Sequence, residues 1–324
     1  MSTPTRRLGR TGLTVSELGY GAWGIGGAMW VGAQDEVSLA ALREAIEHGV
    51  RFIDTALAYG SGHSEELVGA AVRASGEEIA VATKIPPKNE SWPASPGDDV
   101  GEMYSGSWIV ECTERSLSNL GLATIDVQQL HTWTDDWVGK GDWAQAVATL
   151  KEEGKIRFFG VSIRNFDPGS VLELIRSGLV DTVQVIYNVF EQAPAQELLP
   201  AAREHDVGII VRVPFDEGGL TGRVRPDTKF PDGDFRERYF REDRREQTWR
   251  RVEAIVAELA IELDDLPAIA LRFCLSDPAV STVIPGMRTP ENVHRNLAAV
   301  AQGPLPEATL ALLRRHAWQR PPDW

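Results

Sequence analysis

The stretch Arg51-Phe52-Ile53-Asp54-Thr55-Ala56-Leu57-Ala58-Tyr59-Gly60 decides the fold. An apolar, strand-like run ends on an acid, and a phenol follows one short loop later. The pattern recurs in kind. Ile79-Ala80-Val81-Ala82-Thr83-Lys84 closes on an amine, and Val127-Gln128-Gln129-Leu130-His131 closes on an imidazole. In a barrel of parallel strands every strand's C-terminal end opens onto one face, where residues distant in sequence meet. An acid, a phenol, an amine and an imidazole gathered there form a proton-delivery device for a carbonyl oxygen.

Outward from that stretch, short β-like runs alternate with segments whose apolar residues recur at three- and four-residue spacing. Strands are expected at Glu17–Gly21, Arg51–Thr55, Ile79–Lys84, Ile125–Leu130, Ile156–Ser162, Thr182–Tyr187, Gly208–Val213 and Val280–Ile284. Helices are expected at Asp35–His48, Ser64–Ala74, Ser107–Leu120, Trp143–Glu153, Pro168–Ser177, Ala195–His205 and Pro290–Ala301. The alternation predicts an α/β fold, a (β/α)8 TIM barrel, formed by one domain over residues 1–324. A doubly wound sheet would place G-x-G-x-x-G after its first strand. Here Gly19-Tyr20-Gly21-Ala22-Trp23-Gly24-Ile25-Gly26-Gly27 leads into no helix and suits a loop over the pocket mouth. Gly9 and Gly12 supply the turn of an N-terminal β-hairpin. Pro- and Gly-rich loops follow the third strand (Ile85 to Gly106) and the seventh (Pro214 to about Arg244), and a C-terminal helix spans about Pro306–Trp318.

The 324 residues carry a net charge of −14, which argues against a nucleic-acid partner. The stretch from Arg236 to Arg251 interleaves with Glu237, Glu242, Asp243 and Glu246, the pattern of a solvated, salt-bridged helix. Cys112 and Cys274 lie in helix-like segments outside any C-x-x-C pair, so buried free thiols in a reducing cytoplasm are expected. The N-terminus has no apolar signal-like region, and no apolar run is long enough to span a bilayer. The six histidines show no metal-ligand spacing, so no metal and no membrane association are expected.

Hydride addition to a carbonyl needs an acid beside the developing alkoxide. Tyr59 is that acid in this reading. Lys84 lowers the phenol's pKa, Asp54 holds Lys84 charged and in place, and His131 orients the carbonyl. Singly, each residue has a plainer role: a turn cap, a rim aromatic, a surface charge, a core histidine. Four complementary groups at the ends of consecutive strands favour the chemical role.

The run Gly49 to Gly60, with Ser64-Glu65 and Leu67-Val68-Gly69 after it, resembles the aldo-keto reductase signature. Ala82-Thr83-Lys84, Gln129-Leu130-His131, Gly160-Val161-Ser162, Gln184-Val185-Ile186-Tyr187-Asn188 and Ile284-Pro285-Gly286 fall in family order over nearly the whole chain. The resemblance implies a barrel that binds NADPH across its C-terminal face, with Asp54, Tyr59, Lys84 and His131 as tetrad and Tyr59 as proton donor. It places Ser162 and Gln184 at the nicotinamide carboxamide. Ile163 stands where the family often has Asn, and Asn165 is the substitute. Gly21 and Trp23 match the first-strand loop, and Pro214, Leu220, Gly222 and Arg223 the loop over the pyrophosphate. At the adenosine end Gly286 and Met287 replace a Lys-Ser pair, and Asn292 stands at the usual Arg. Arg288, with Asn292 and Asn296 nearby, is then the candidate for the 2′-phosphate, which makes NADP the expected cofactor and NAD the alternative.

Trp23, Trp30, Trp108 and above all Trp133 are the expected substrate-binding wall, with Trp92 and Trp137 in loops near the mouth. Trp143, Trp249 and Trp318 are expected to pack helices. The substrate is expected to be a small carbonyl compound or alcohol, stacking on indole. Two other functions stay open: a binding module that senses cofactor redox state with little turnover, and a lyase or aldolase using Lys84 as a Schiff base.

Overall fold

A computed structural model describes residues 3–320. The chain opens with an antiparallel hairpin, β1 (Thr5–Arg7) and β2 (Thr14–Ser16), in which Arg6 opposes Val15. Then come β3 (Tyr20–Gly21), α1 (Asp35–Glu47), β4 (Phe52–Asp54), α2 (His63–Ser75), β5 (Ala80–Ile85), α3 (Val100–Tyr104) and α4 (Gly106–Leu120). They are followed by β6 (Ile125–Leu130), α5 (Trp143–Glu152), β7 (Ile156–Ser162), α6 (Leu172–Ser177), β8 (Thr182–Ile186), α7 (Leu198–Glu204) and β9 (Gly208–Arg212). The last third holds α8 (Phe235–Tyr239), α9 (Arg244–Leu259), α10 (Leu266–Leu275), β10 (Val280–Val283), α11 (Pro290–Ala301) and α12 (Glu307–Arg314).

Strands β3 to β10 form an eight-stranded sheet in sequence order, every neighbour parallel. The sheet closes through two isolated bridges, Leu18 to Val283 and Gly21 to Gly286. Gly21 permits the closure, because a Cβ there would stand 2.5 Å from the Ile284 carbonyl oxygen. This is the expected (β/α)8 barrel.

The two-residue period of a strand sorts its side chains. Ile53, Val81, Leu130, Val161, Val183, Val211 and Val283 join the core under the helices. Phe52, Ala80, Ala82, Val127, Ile210 and Ile284 fill the barrel interior, together with Leu8 and Val15 from the hairpin, which plugs its floor. The same inward rows continue upward to Asp54, Lys84, Gln129, Ser162, Gln184 and Arg212.

Several boundaries differ from expectation for local reasons. The first strand shrinks to Tyr20–Gly21, since β10 meets it only through bridges. The third-strand loop contains α3, started by Asp99, whose carboxylate accepts from Gly101 N. The helices expected from Pro168 and from Ala195 begin with 3-10 turns, Pro168–Val171 and Ala193–Ala195, each with Pro in its first turn. The arginine-rich stretch is two helices, broken where Glu242 adopts φ 53°. Arg250 pairs with Glu246 on the surface as expected, but Arg244 is buried and Arg236 is locked to Asp234. The last helix stops at Arg314, and Trp318 continues as extended chain whose N–H donates to the Phe190 carbonyl. Both cysteines are buried free thiols on α4 and α10. Among the described residues, no helix is long and apolar enough to cross a membrane.

Candidate active site

Asp54 ends β4 and Lys84 lies one residue before the end of β5, both facing inward and both buried. Lys84 Nζ donates to Asp54 Oδ2 at 2.5 Å, to the Thr55 carbonyl at 2.8 Å and to Tyr59 Oη at 3.3 Å. Gln184 and Gln129 donate side-chain N–H groups to Asp54 Oδ1 at 2.7 and 3.2 Å. The carboxylate thus accepts from two amides and one ammonium. The ammonium in turn has one vertex left for the phenol. The Tyr59 loop is fixed from above, since Gly26 lies on it: a Cβ at Gly26 would stand 2.9 Å from the Tyr59 carbonyl carbon. His131 follows β6, and its ring stands edge-on to Tyr59 with centroids 5.6 Å apart. Its Nδ1 is buried without a hydrogen-bond partner. The structure therefore brings all four tetrad residues together.

The electrostatics differ from expectation in one respect. Burial pushes the Tyr59 phenol above its ordinary range, and the opposing pull of Lys84 does not reverse it. Burial also holds the His131 imidazole well below its ordinary value, with Lys84 and then Arg212 adding to the effect. The site therefore presents a protonated phenol and a neutral imidazole at neutral pH.

Around the tetrad, Ser162 and Gln184 stand side by side in register on β7 and β8. Both N–H groups of Gln184 face Asp54 and Gln129, so its carbonyl oxygen is the free end. Asn165 Oδ1 accepts from Arg212 Nη2 at 2.8 Å, and the same nitrogen donates to the Ile163 carbonyl at 3.0 Å. Arg212 Nε is buried without a partner. After β9 the chain turns through Val213, Asp216 and Glu217, all at positive φ. Pro214 and Gly222 are buried there, Leu220 packs into the main core so that only its backbone can face a ligand, and Arg223 is exposed. Asp216 is clamped by Arg320 at 2.5 Å and Tyr239 at 3.0 Å.

On the opposite flank Gly286 has open space at its Cα, and Thr289 caps α11 by accepting from Asn292 N. Asn296 is buried one turn on. The Arg288 guanidinium lies over Trp30, 5.6 Å from the ring centroid, and donates to the Val31 carbonyl. Among the described residues no carboxylate lies within ion-pair distance of it. Arg236 covers Trp30 as well, at 4.6 Å.

Trp23 stands 6.1 Å from the Tyr59 ring, 5.5 Å from Trp30 and 4.9 Å from Phe235. These three aromatics form one wall of the mouth. Two expected substrate residues do not join it. Trp133 is fully buried between Trp137 and Trp143, with centroids 5.5 and 5.2 Å away, because the chain turns outward after His131 and drops the indole beneath α5. Trp137 is equally buried. Trp108 lies on α4, packs against the main core, and donates its indole N–H to the Pro86 carbonyl. The opposite wall is Trp92 instead, 50% exposed and 4.4 Å from the His131 ring centroid.

Sequence reasoning gave no role to Gln129, Arg212 and Phe235. Gln129 and Arg212 were detectable by parity, as polar residues on the inward rows Val127-Gln129 and Gly208-Ile210-Arg212. Phe235 had no local signal, since its N–H reaches the Met29 carbonyl across the mouth.

The residues fit a nicotinamide dinucleotide. Free amide and hydroxyl groups stand at the tetrad, an unpaired guanidinium precedes the capped helix α11, and a glycine-rich first loop lies between them. Comparison with known proteins agrees. The sequence model of the Aldo/keto reductase family matches residues 17–317. Aldo-keto reductase YhdN of Bacillus subtilis is 33% identical over 228 residues, 70% of this chain and 66% of that protein. The NADH-specific methylglyoxal reductase of Escherichia coli is 30% identical over 320 residues, 96% of this chain and 97% of that one. The crystal structure of an aldo/keto reductase from Klebsiella pneumoniae in complex with NADP and acetate superposes with a TM-score of 0.70. It is 27% identical and covers 98% of this chain and 97% of its own. The tetrad geometry, the barrel and these matches have one reading: the chain belongs to the aldo/keto reductase family.

Proposed function

We propose that this protein is an NADP(H)-dependent reductase that interconverts small aldehydes or ketones with alcohols, with Tyr59 as the proton donor. The observation that carries the proposal is the relay of Lys84 Nζ, 2.5 Å from Asp54 and 3.3 Å from Tyr59 Oη. Ser162, Asn165 and Gln184 hold the nicotinamide end, and Arg288 with the α11 N-terminus holds the phosphate end. Bound there, the reduced cofactor supplies the hydride. Tyr59 gives its proton to the carbonyl oxygen. Lys84 steadies the phenolate that remains, and Asp54 keeps the ammonium in place. His131, neutral and with a free buried nitrogen, orients the carbonyl. Trp23 and Trp92 flank the opening and accept an apolar or stackable substrate body.

Arg288 favours a 2′-phosphate, and so supports NADP over NAD. The Klebsiella neighbour binds NADP, whereas the Escherichia coli relative is NADH-specific. Arg288→Ala is expected to weaken NADPH more than NADH in a fluorescence titration; equal losses would remove Arg288 from the phosphate site. For the reaction itself, Tyr59→Phe should cost at least about 10²–10⁴-fold in turnover of a carbonyl panel, while cofactor still quenches tryptophan fluorescence. Undiminished turnover in the variant would refute the proton-donor role. A wild-type protein that binds cofactor yet turns nothing over would favour a redox-sensing module.

A further inference from the structure

The fold assembles a cluster far along the chain from the tetrad. Glu44 and His48 lie one turn apart at the C-terminal end of α1. His294 comes from α11, the last helix around the barrel. Glu44 Oε1 stands 3.0 Å from His294 Nε2 and 3.3 Å from His48 Nδ1. One ligand atom from each residue falls within 4.8 Å of the others. The two imidazoles meet edge to face with centroids 5.1 Å apart, so both rings address the same carboxylate. His48 Nδ1 is also 2.9 Å from the Glu44 carbonyl, a hydrogen bond that this nitrogen gives up, with its proton, when it turns its lone pair to the metal.

We propose that Glu44, His48 and His294 bind one late first-row divalent cation, with zinc(II) as the first choice. The donor set is two imidazoles and one carboxylate, which suits zinc, nickel or copper and is poor for calcium or magnesium. At bond lengths near 2.0–2.2 Å, two ligands of a tetrahedral zinc lie about 3.4 Å apart. The two carboxylate–imidazole separations are already close to that, and the two ring nitrogens, which lie within 4.8 Å of each other, close on the ion by turning their rings. Water completes the fourth position, since all three side chains are part-exposed. The nearby cation Arg295 is held by Glu291 at 2.7 Å and does not compete.

The position gives the ion a task. Helix α1 follows the first barrel strand and α11 follows the last, and the seam between those strands carries only two isolated bridges. An ion shared by α1 and α11 staples the helices that flank the seam, and it binds the folded state alone, because the unfolded chain separates Glu44 from His294.

The test uses the full chain, freed of metal by chelation and titrated with zinc chloride in a calorimeter. One saturable equivalent is expected, with a rise in melting temperature. His48→Ala and His294→Ala should each weaken it by at least the about 10- to 100-fold that loss of a ligand's outer partner costs, whereas His63→Ala, on a histidine paired with Asp35 elsewhere, should not. Circular-dichroism melts confirm that each variant folds. Cobalt(II) should give a visible d–d spectrum that disappears in His294→Ala. Absence of saturable binding, or binding indifferent to both His48→Ala and His294→Ala, overturns the site.

Discussion

Lys84 is fully buried, yet it is an ammonium with a carboxylate, a carbonyl and a phenol as its partners. Removing one member of a buried ion pair leaves the other charge without compensation. Asp54→Ala should therefore lower stability by about 3–5 kcal/mol, read as a shift of the urea midpoint, and a shift near zero would show that the pair is not buried in solution. The titrations carry a signed expectation. Reduction needs the phenol protonated, and burial raises its pKa, so kcat/KM for reduction should hold level past the ordinary phenol value of ~10 before falling. His131 is depressed, so its neutral form persists well below the usual ~6.5, and no acid limb should appear there. An inflection near ~6.5 that His131→Gln removes would contradict this assignment. Arg212 faces inward beside Asn165 and the Ile163 carbonyl, and Glu217, the acid that would balance it, is pushed up to about 8 by burial and so stays mostly protonated at neutral pH. With the nicotinamide held by Ser162, Asn165 and Gln184 as proposed, a fixed cation there would disfavour its cationic oxidised form. Arg212→Met removes that cation and should narrow the gap between NADPH and NADP+ dissociation constants. An unchanged ratio would assign Arg212 to holding Asn165 alone. That Asp54, Tyr59, Lys84 and His131 converge was legible because each ends or follows a strand that announces itself by composition. The misplaced tryptophans show the limit: position in a loop does not say which way an indole turns, and Trp133 turned inward to stack with Trp137 and Trp143.

At the scale of elements, the hairpin and the loop after β9 each perform a specific task. Leu8 is fully buried in the barrel floor against residues of several strands. Leu8→Ala should destabilise by about 2–5 kcal/mol, measured by denaturant unfolding, without changing cofactor affinity. The loop after β9 is held by Arg320, which reaches Asp216 and Tyr239 from the far end of the described chain. Periodicity located nearly every helix and strand, because one apolar face repeats along each. It could not foresee that latch, which depends on partners remote in sequence, nor the break between α8 and α9, where Glu242 takes a positive φ.

At the scale of the molecule, the barrel departs from regular ladders at its seam and at a register shift between β9 and β10 near Val280 and Thr282. Strands β5 to β8 share continuous ladders, whereas the seam between the β3 and β10 segments has no ladder, only the isolated bridges Leu18 with Val283 and Gly21 with Gly286 and side-chain bonds such as Tyr20 Oη to the Met287 carbonyl. Hydrogen–deuterium exchange should therefore release protection in peptides covering residues 18–21 and 283–286 before those covering 80–85 and 156–162. Uniform protection around the ring would mean that the seam is as tightly bonded as the rest. The inward rows of the strands add a different consequence. Reagents and packing residues alternate along the same rails, so a slip of a single position in any strand would eject its reagent into the helical jacket. The loops above carry no such constraint. Changes of appetite for one carbonyl compound or another can accumulate in the rim while the chemical machinery beneath keeps its spacing.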